Sequence, residues 1–290
     1  MSSTATPADS SADSSADSSS ATTSAASAAA PAWDPQQYLR FADERTRPLR
    51  ELLARVPDLP AGPVALDIGC GPGNSTAGIR HRWPDAKITG IDNSAEMLAT
   101  ARTAQGEPTA DYLLADAGTY DPAPAAPDLI VSNATLQWVD GHLDLLPRWA
   151  AALKPGGVLA FQVPGNFDAP SHVLLGELRR SPRWRERLGT EATRAGVHEP
   201  GTYLEALLAA GCAPDVWETT YSTLLTGPDP VLEWTKGTAL RPVLARLTDP
   251  AERAAFLAEY AALLREAYPA GPHGTVFPFR RIFAVAVRTA

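Results

Sequence analysis

The sequence predicts a doubly wound α/β fold, in which a mostly parallel sheet of seven strands carries helices on both faces and helical insertions as lids. Three observations predict it. Short apolar runs alternate with helical segments, a glycine cluster directly follows the first run, and proline- or glycine-rich turns separate the later segments. Strands spaced by such helices form right-handed βαβ units, which build an open parallel sheet.

The elements follow one another in the order that this fold requires. A helical run at 47–56 ends before Pro57, and the next run, 64–68, is short and apolar except for Asp67, as is typical of a buried parallel strand. The remaining strands are predicted at 87–91, 112–115, 128–132, 158–163, 216–225 and 279–287. Further helices are predicted from the glycines to about Trp83 and at 95–104, 142–153 and 203–210.

Aspartate followed by proline marks three more helix starts, at Asp34, Asp229 and Asp249. Aspartate is a favoured N-cap and proline a favoured first helical residue. Glu252 completes a capping box with Asp249. We therefore expect a helix before the first strand and two helices within the C-terminal third.

The chain is predicted to consist of a tail and one domain. Residues 1–32 contain eleven serines, no lysine, no arginine and no aromatic residue, so they bury too little apolar surface to order and carry no recognisable targeting signal. Residues 33–290 form the predicted domain. Two segments outside the regular alternation, 164–198 and 228–272, are the expected lid material.

Composition excludes several classes of protein. A net charge of −8 argues against nucleic acid or an anionic membrane as the main partner, and no apolar run approaches the roughly 18 residues that a bilayer requires. Cys70 and Cys212 lie far apart and predict neither a disulfide framework nor a zinc site. We expect a protein of the reducing cytoplasm that takes a small-molecule substrate.

The stretch LDIGCGPGNST, residues 66–76, carries the strongest functional signal. Glycines between a strand and a helix let backbone N–H groups approach a ligand at the positive end of the helix dipole. A dinucleotide site needs G-x-G-x-x-G, but from Gly69 the third glycine falls on Asn74, and from Gly71 it falls on Thr76. The spacing therefore indicates a nucleotide-like ligand and disfavours NAD and FAD.

This loop resembles the cofactor loop of the class I S-adenosylmethionine-dependent methyltransferases. The resemblance implies that Asp92 binds the ribose, Asp116 and Met97 lie at the adenine, and Asn133 lies beside the methyl donor. Strand ends of an open α/β sheet meet at one edge, which favours a shared site. The implied cofactor residues are Gly69, Gly71, Gly73, Asp92, Met97, Asp116, Ala117 and Asn133. Taken singly, Asp92 also fits an N-cap, Asp116 a turn and Met97 the core.

A narrower resemblance is to the trans-aconitate 2-methyltransferases. It extends over nearly everything after the tail and is carried by WDPQQY (33–38), GCGPGNST (69–76), ITGID (88–92), SNATLQWV (132–139), VPGNF (163–167) and WTKGT (234–238). It implies methyl transfer to a carboxylate. A carboxylate is already ionised at neutral pH, so we expect positioning without a general base, no catalytic residue in the strict sense and no metal.

Cations must hold the carboxylates that do not react, and the C-terminal third supplies them. Guanidinium groups bind carboxylates through two parallel hydrogen bonds. Arg280 and Arg281 are adjacent and face opposite ways in a strand, so one of them is expected to serve. His172 is a weaker candidate donor. The predicted substrate residues are Trp33, Tyr38, Trp138, Lys236, Arg241, Arg280 and Arg281.

Three alternatives stay open at this point. The chain is also compatible with a methyltransferase for another small molecule, such as a quinone precursor or another polycarboxylate. A carbon or phenol nucleophile would usually need a nearby base, and no histidine has an obvious place for it. A cofactor-binding module without catalysis is the second alternative, and a dehydrogenase is the third.

Overall fold

A seven-stranded sheet lies at the centre of the structure, a computed structural model that describes residues 42–104, 110–189 and 196–289. The strands are β1 Val64–Ile68, β2 Lys87–Asp92, β3 Asp111–Leu114, β4 Leu129–Asn133, β5 Val158–Pro164, β6 Cys212–Leu225 and β7 Thr275–Arg288. Their order is β3-β2-β1-β4-β5-β7-β6. Strands β1 to β5 pair in parallel, whereas β7 pairs antiparallel with both β5 and β6. The predicted fold class is confirmed.

Ten α-helices surround this sheet within the described residues. They are α1 Ala42–Ala54, α2 Asn74–Arg82, α3 Ala95–Thr103, α4 Leu145–Ala152, α5 Pro170–Arg180, α6 Arg185–Leu188, α7 Pro200–Ala209, α8 Pro230–Lys236, α9 Arg241–Arg246 and α10 Pro250–Ala267. The helix predicted at Asp34 and the tail predicted for residues 1–32 lie outside the described residues. None of the described helices is both long and apolar enough to cross a membrane.

Alternating residues of the strands face two separate cores. Ala65 packs with α1 and α2 on one face, while Leu66 packs with α4 and α7 on the other. Every residue of β5 is buried, as expected of a central strand covered on both sides. Helices on both faces give the doubly wound arrangement.

The two predicted insertions, 164–198 and 228–272, contribute helices to a third apolar cluster. Helices α5, α6 and α8 to α10 pack there against Phe277 and Phe279, which lie on β7. This packing explains why β7 begins at Thr275, four residues before the predicted start at 279. Its first residues alternate between buried and exposed, and Pro278 interrupts the apolar run that predicted the strand. That these helices act as lids stays a prediction.

Candidate cofactor and substrate site

The three glycines after β1 adopt left-handed backbone conformations, with φ of +79° at Gly69, +54° at Gly71 and +91° at Gly73. Such conformations favour glycine strongly. The N–H groups of Gly69 and Cys70 both donate to the carbonyl of Ile91, at 2.7 and 3.0 Å. The loop is therefore fastened to the end of β2.

The three glycines differ in what surrounds them. A β-carbon on Gly69 would lie 2.0 Å from Oγ1 of Thr135, and one on Gly73 would lie 3.2 Å from both Ala101 and the hydroxyl of Tyr112. A β-carbon on Gly71 would meet nothing within 4 Å. Packing thus explains Gly69 and Gly73, whereas the space beside Gly71 is where a ligand has room to approach the backbone.

Asp92 connects the loop to the end of β2. Its Oδ2 accepts a hydrogen bond from the Gly71 N–H, and its Oδ1 accepts one from the Ser94 N–H, each at 2.9 Å. Burial raises the pKa of Asp92, and these backbone bonds partly offset the rise. The N-cap of α3 is Ser94, whose Oγ accepts from the Met97 N–H. Each oxygen of Asp92 keeps a lone pair for a ligand hydroxyl.

Beneath the loop, Asp67 fixes the first turn of α2. It is fully buried, and its Oδ2 accepts hydrogen bonds from the hydroxyls of Ser75 at 2.7 Å and Thr76 at 2.6 Å. Desolvation raises the pKa of Asp67 to about 6. The side chain supports the loop from below through its bonds to two hydroxyl groups of the helix.

At the ends of β2 and β3, Asp116 approaches Asn93. Its Oδ1 accepts from the Gly118 N–H at 2.8 Å, and its Oδ2 lies 3.4 Å from the amide nitrogen of Asn93. Asp116 therefore closes a turn, which is one of the two roles that the sequence allowed. Its carboxylate is also exposed, so the other role, contact with the adenine, stays open to it. Ala117 packs against the core, and Met97 is buried within α3. Their adenine roles stay predictions.

The end of β4 holds a buried polar network. Gln162 of β5 donates through Nε2 to Oδ1 of Asn133 at 2.7 Å, and its Oε1 accepts from Nη1 of Arg281 at 3.2 Å. Arg281 is buried on β7, with its guanidinium carbon 4.5 Å from the centre of the Phe279 ring. Ala134 follows Asn133 with a φ of +56°. A predicted cofactor residue and a predicted substrate residue thus share one network.

Comparison with known proteins decides the family. A family model described as "Methyltransferase domain" matches residues 65–157. A trans-aconitate 2-methyltransferase of Streptomyces avermitilis is 61% identical over 267 residues, which cover 90% of this chain and 98% of that protein. The chain belongs to the trans-aconitate 2-methyltransferase family. One of Rhodococcus jostii is 50% identical over 88% of this chain and 98% of its own length.

Solved structures agree with the fold of this family member. The YcgJ protein of Bacillus subtilis matches with a TM-score of 0.53 at 14% identity, over 84% of this chain and 99% of that one. A phosphoethanolamine N-methyltransferase 2 of Haemonchus contortus, solved with S-adenosylhomocysteine, matches with 0.52 at 19% identity, over 84% of this chain and 53% of that one. The expected class, an S-adenosylmethionine-dependent methyltransferase, is confirmed by the family.

The residues of this trans-aconitate 2-methyltransferase family member fit an adenosyl cofactor. Gly71 offers open space beside the backbone, Asp92 offers carboxylate lone pairs at the adjacent strand end, and α2 begins directly after the loop. A helix N-terminus and an acid at the end of β2 are the groups that open α/β sheets use for such ligands. When bound, S-adenosylmethionine supplies an electrophilic methyl group on a sulfonium.

Among the predicted substrate cations of this family member, the structure separates Arg280 from Arg281. The guanidinium of Arg280 is bound by Glu199 at 3.0 and 2.5 Å and also by Glu218, and these carboxylates raise the pKa of the arginine. Arg280 lies on the opposite face of β7 from Arg281, as the alternation of a strand requires. This double pairing favours Arg281 over Arg280 as the single clamp residue, and the substrate role of either arginine stays a prediction.

The other predicted substrate residues are dispersed. Lys236 pairs with Glu233 at 2.5 Å, and Arg241 begins the short helix α9. Trp138 is half-buried in a 3-10 turn after β4. His172 lies in α5, with its ring 5.4 Å from that of Phe167. Trp33 and Tyr38 lie outside the described residues.

Sequence reasoning missed two buried polar residues. His142 is 1% exposed, and its Nε2 lies 2.8 Å from the hydroxyl of Tyr203. Burial lowers the pKa of His142 and raises that of Tyr203 to about 12. Gln162 was also missed, although a signal existed, because it is the one polar residue in the apolar run 158–163.

Proposed function

We propose that this chain transfers the methyl group of S-adenosylmethionine to one carboxylate of trans-aconitate, which gives a monomethyl ester and S-adenosylhomocysteine. The observation that carries the proposal is the buried guanidinium of Arg281, which contacts the network containing Asn133 at the end of β4. This arrangement puts a cation and an amide at the strand end where the family resemblance expects the methyl donor. A carboxylate substrate is the ligand that such a pair of groups suits.

The reaction requires no proton transfer. A lone pair of the ionised carboxylate forms the new oxygen–carbon bond while the sulfur–carbon bond breaks, and that electron pair returns to sulfur. A carboxylate has an ordinary pKa near 4 and is ionised at neutral pH. The protein therefore needs to align the oxygen and exclude water, and alignment alone removes at best about 7 to 11 kcal/mol of an otherwise bimolecular barrier.

Each group of the chain then has a defined task in the proposal. Gly71 admits the cofactor to the backbone, Asp92 accepts the ribose hydroxyls, and Asp116 accepts from the adenine. Arg281 binds a carboxylate that does not react, and Asn133 lies next to the reacting one. Arg280 is excluded from the clamp because Glu199 and Glu218 already bind it.

The setting of the reaction is also part of the proposal. We infer action in the cytoplasm on a small molecule, without nucleic acid or membrane. The net charge of −8 and the two free, buried cysteines, Cys70 and Cys212, support this inference.

A methyl-transfer assay with labelled donor tests the function. The purified full chain is offered trans-aconitate, cis-aconitate, isocitrate and a quinone precursor. We expect rapid labelling of trans-aconitate, with an alkali-labile product, and slower labelling of the others. Preferred labelling of the quinone precursor would replace the proposed substrate, and cofactor binding without any labelling would indicate a binding module.

Two matched variants test the placement of the substrate. Arg281→Met should raise the KM for trans-aconitate more than tenfold and leave the Kd for S-adenosylmethionine unchanged. Arg280→Met removes the neighbouring guanidinium from the other face of β7 and should change KM less than threefold. A large KM effect of Arg280→Met, or none of Arg281→Met, would place the carboxylate elsewhere.

A further inference from the structure

Gln162 is held at the centre of the polar network, out of reach of solvent. Its side chain is 1% exposed, contacts Asn133 at 2.7 Å and contacts Arg281 at 3.2 Å. Its backbone carbonyl also accepts a hydrogen bond from the N–H of Ala134 at 3.0 Å. Asn133 pairs with Gln162 in register, so the two side chains leave the sheet on the same face.

The donors and acceptors of this network can be arranged in one way. An arginine side chain has donors and no acceptor, so the atom that faces Arg281 must be the carbonyl oxygen of Gln162. The amide nitrogen of Gln162 then faces Asn133 and needs an acceptor there. Asn133 must turn its own carbonyl oxygen toward Gln162, and its NH₂ group is therefore directed away from Gln162.

We infer that Gln162 is a positioning residue, which uses its bond to Arg281 to orient the amide of Asn133 so that Asn133 offers N–H donors to the reacting carboxylate. This inference rests on the proposed function. Gln162 acts only through Asn133, because Gln162 is buried whereas Asn133 is partly exposed at the strand end. The reacting carboxylate is thus offered the NH₂ group of Asn133 as a hydrogen-bond donor.

The orientation matters because an asparagine amide has two nearly isosteric ends of opposite character. The NH₂ end binds one oxygen of a carboxylate and leaves the other oxygen to attack. The carbonyl end repels the same carboxylate. The backbone cannot adjust to the wrong orientation at little cost, because the N–H of Ala134, at a φ of +56°, is bonded to the carbonyl of Gln162.

The substitution Gln162→Glu tests this orientation with almost no change in shape. The new carboxylate would accept from Arg281 as the amide did, but it would present a second oxygen to Asn133, whose own amide must then turn its NH₂ inward. We expect kcat to fall more than tenfold, with the Kd for S-adenosylmethionine within twofold of wild type. Gln162→Met, which has no hydrogen-bonding end, should lower kcat less because it leaves Asn133 free to adopt either orientation.

A double-mutant cycle separates positioning from packing. Asn133→Ala should lower kcat by itself, and adding Gln162→Glu to it should lower kcat less than twofold further, because no amide remains to be reversed. The carboxylate introduced by Gln162→Glu also draws on the charge of Arg281, so KM rises in both backgrounds and kcat alone is the test. If Gln162→Glu lowers kcat by the same factor in both backgrounds, the inference is wrong.

Nuclear magnetic resonance tests the orientation without turnover. In protein labelled with ¹⁵N-asparagine, the side-chain NH₂ signals of Asn133 are those missing from Asn133→Ala. In Gln162→Glu these protons should shift downfield, because one of them now donates to a carboxylate. An unchanged shift overturns the inference. If the shift appears but the wild type does not methylate trans-aconitate, the proposed function fails and the orientation stands.

Discussion

The hydroxyl of Thr135 occupies the space that a β-carbon on Gly69 would need, since the two atoms would lie 2.0 Å apart. The same hydroxyl donates to the carbonyl of Gly69 at 3.3 Å. The first glycine of the cofactor loop is thus required by its contact with the segment after β4. The loop and the end of β4, which together carry most of the candidate site, are one packed unit.

The first prediction concerns this contact. Gly69→Ala should lower the free energy of unfolding by about 2 to 5 kcal/mol, because it adds an overpacked atom to a left-handed residue. Urea unfolding measures the loss. The double variant Gly69→Ala with Thr135→Ala should recover part of the overpacking cost relative to the sum of the two single changes, because it removes Oγ1 and Cγ2 of Thr135 but keeps its β-carbon, 2.6 Å from the new atom. Strict additivity would show that Thr135 is not the obstacle.

Gly71→Ala should affect cofactor binding more than stability, unlike Gly69→Ala. Its β-carbon meets nothing within 4 Å, so the loss of stability should be limited to the left-handed backbone, about 1 to 2 kcal/mol. The affinity for S-adenosylmethionine should fall at least tenfold in isothermal calorimetry, because the methyl group occupies the approach to the backbone. Wild-type affinity in this variant would mean that the ligand does not approach Gly71.

Asp92→Ala should weaken S-adenosylmethionine binding severely, by tenfold or more, while the chain stays folded. The variant loses the carboxylate at the end of β2 and leaves the N–H of Gly71 without this acceptor. Ser94→Ala is the matched control, because it removes the N-cap of α3 at a cost of about 1 kcal/mol without touching that carboxylate. Calorimetric affinities that are equal in the two variants would remove the ribose assignment.

Asp67 should make stability depend on pH in a predictable direction. Burial raises its pKa to about 6 from 3.8, so folding favours the protonated form. Its stabilising contribution is complete below about pH 4 and is lost as the pH rises through about 6. Relative to Asp67→Asn, which does not titrate, the wild type should lose on the order of 3 kcal/mol between pH 4 and 7. The free energy of unfolding is measured by urea unfolding at each pH. A difference between wild type and Asp67→Asn that stays constant across this range would contradict the raised pKa.

The sheet was largely predictable because most of its strands are local apolar runs. Strand β1 was predicted to the residue, whereas the start of β7 was missed where Pro278 breaks the pattern, and β6 begins at Cys212, four residues before its predicted start at 216. The family, and with it the cofactor, was predictable from the glycine loop and the quoted segments. The substrate pocket was less predictable, because Arg280 is paired with Glu199, 81 positions away, and no local pattern records such a contact.

The buried pairs were hidden for the same reason. Gln162 meets Arg281 across 119 positions, and His142 meets Tyr203 across 61. Composition shows only that a polar residue stands in an apolar run. Which partner satisfies it is decided by strand order and register, and these emerge only when the sheet is assembled. The tail at 1–32 and the lid role of the insertions stay predictions.

The register of β7 has a consequence for the activity that is recovered after refolding. This strand pairs along seven positions with β5 and along fourteen with β6. A shift by one residue would exchange the two faces of the strand, so that Arg280 or Ile282 would take the place of Arg281 beside Gln162. Molecules that fold with the shifted register would be inactive. The specific activity of refolded protein therefore measures the fraction of molecules in which β7 has its native register.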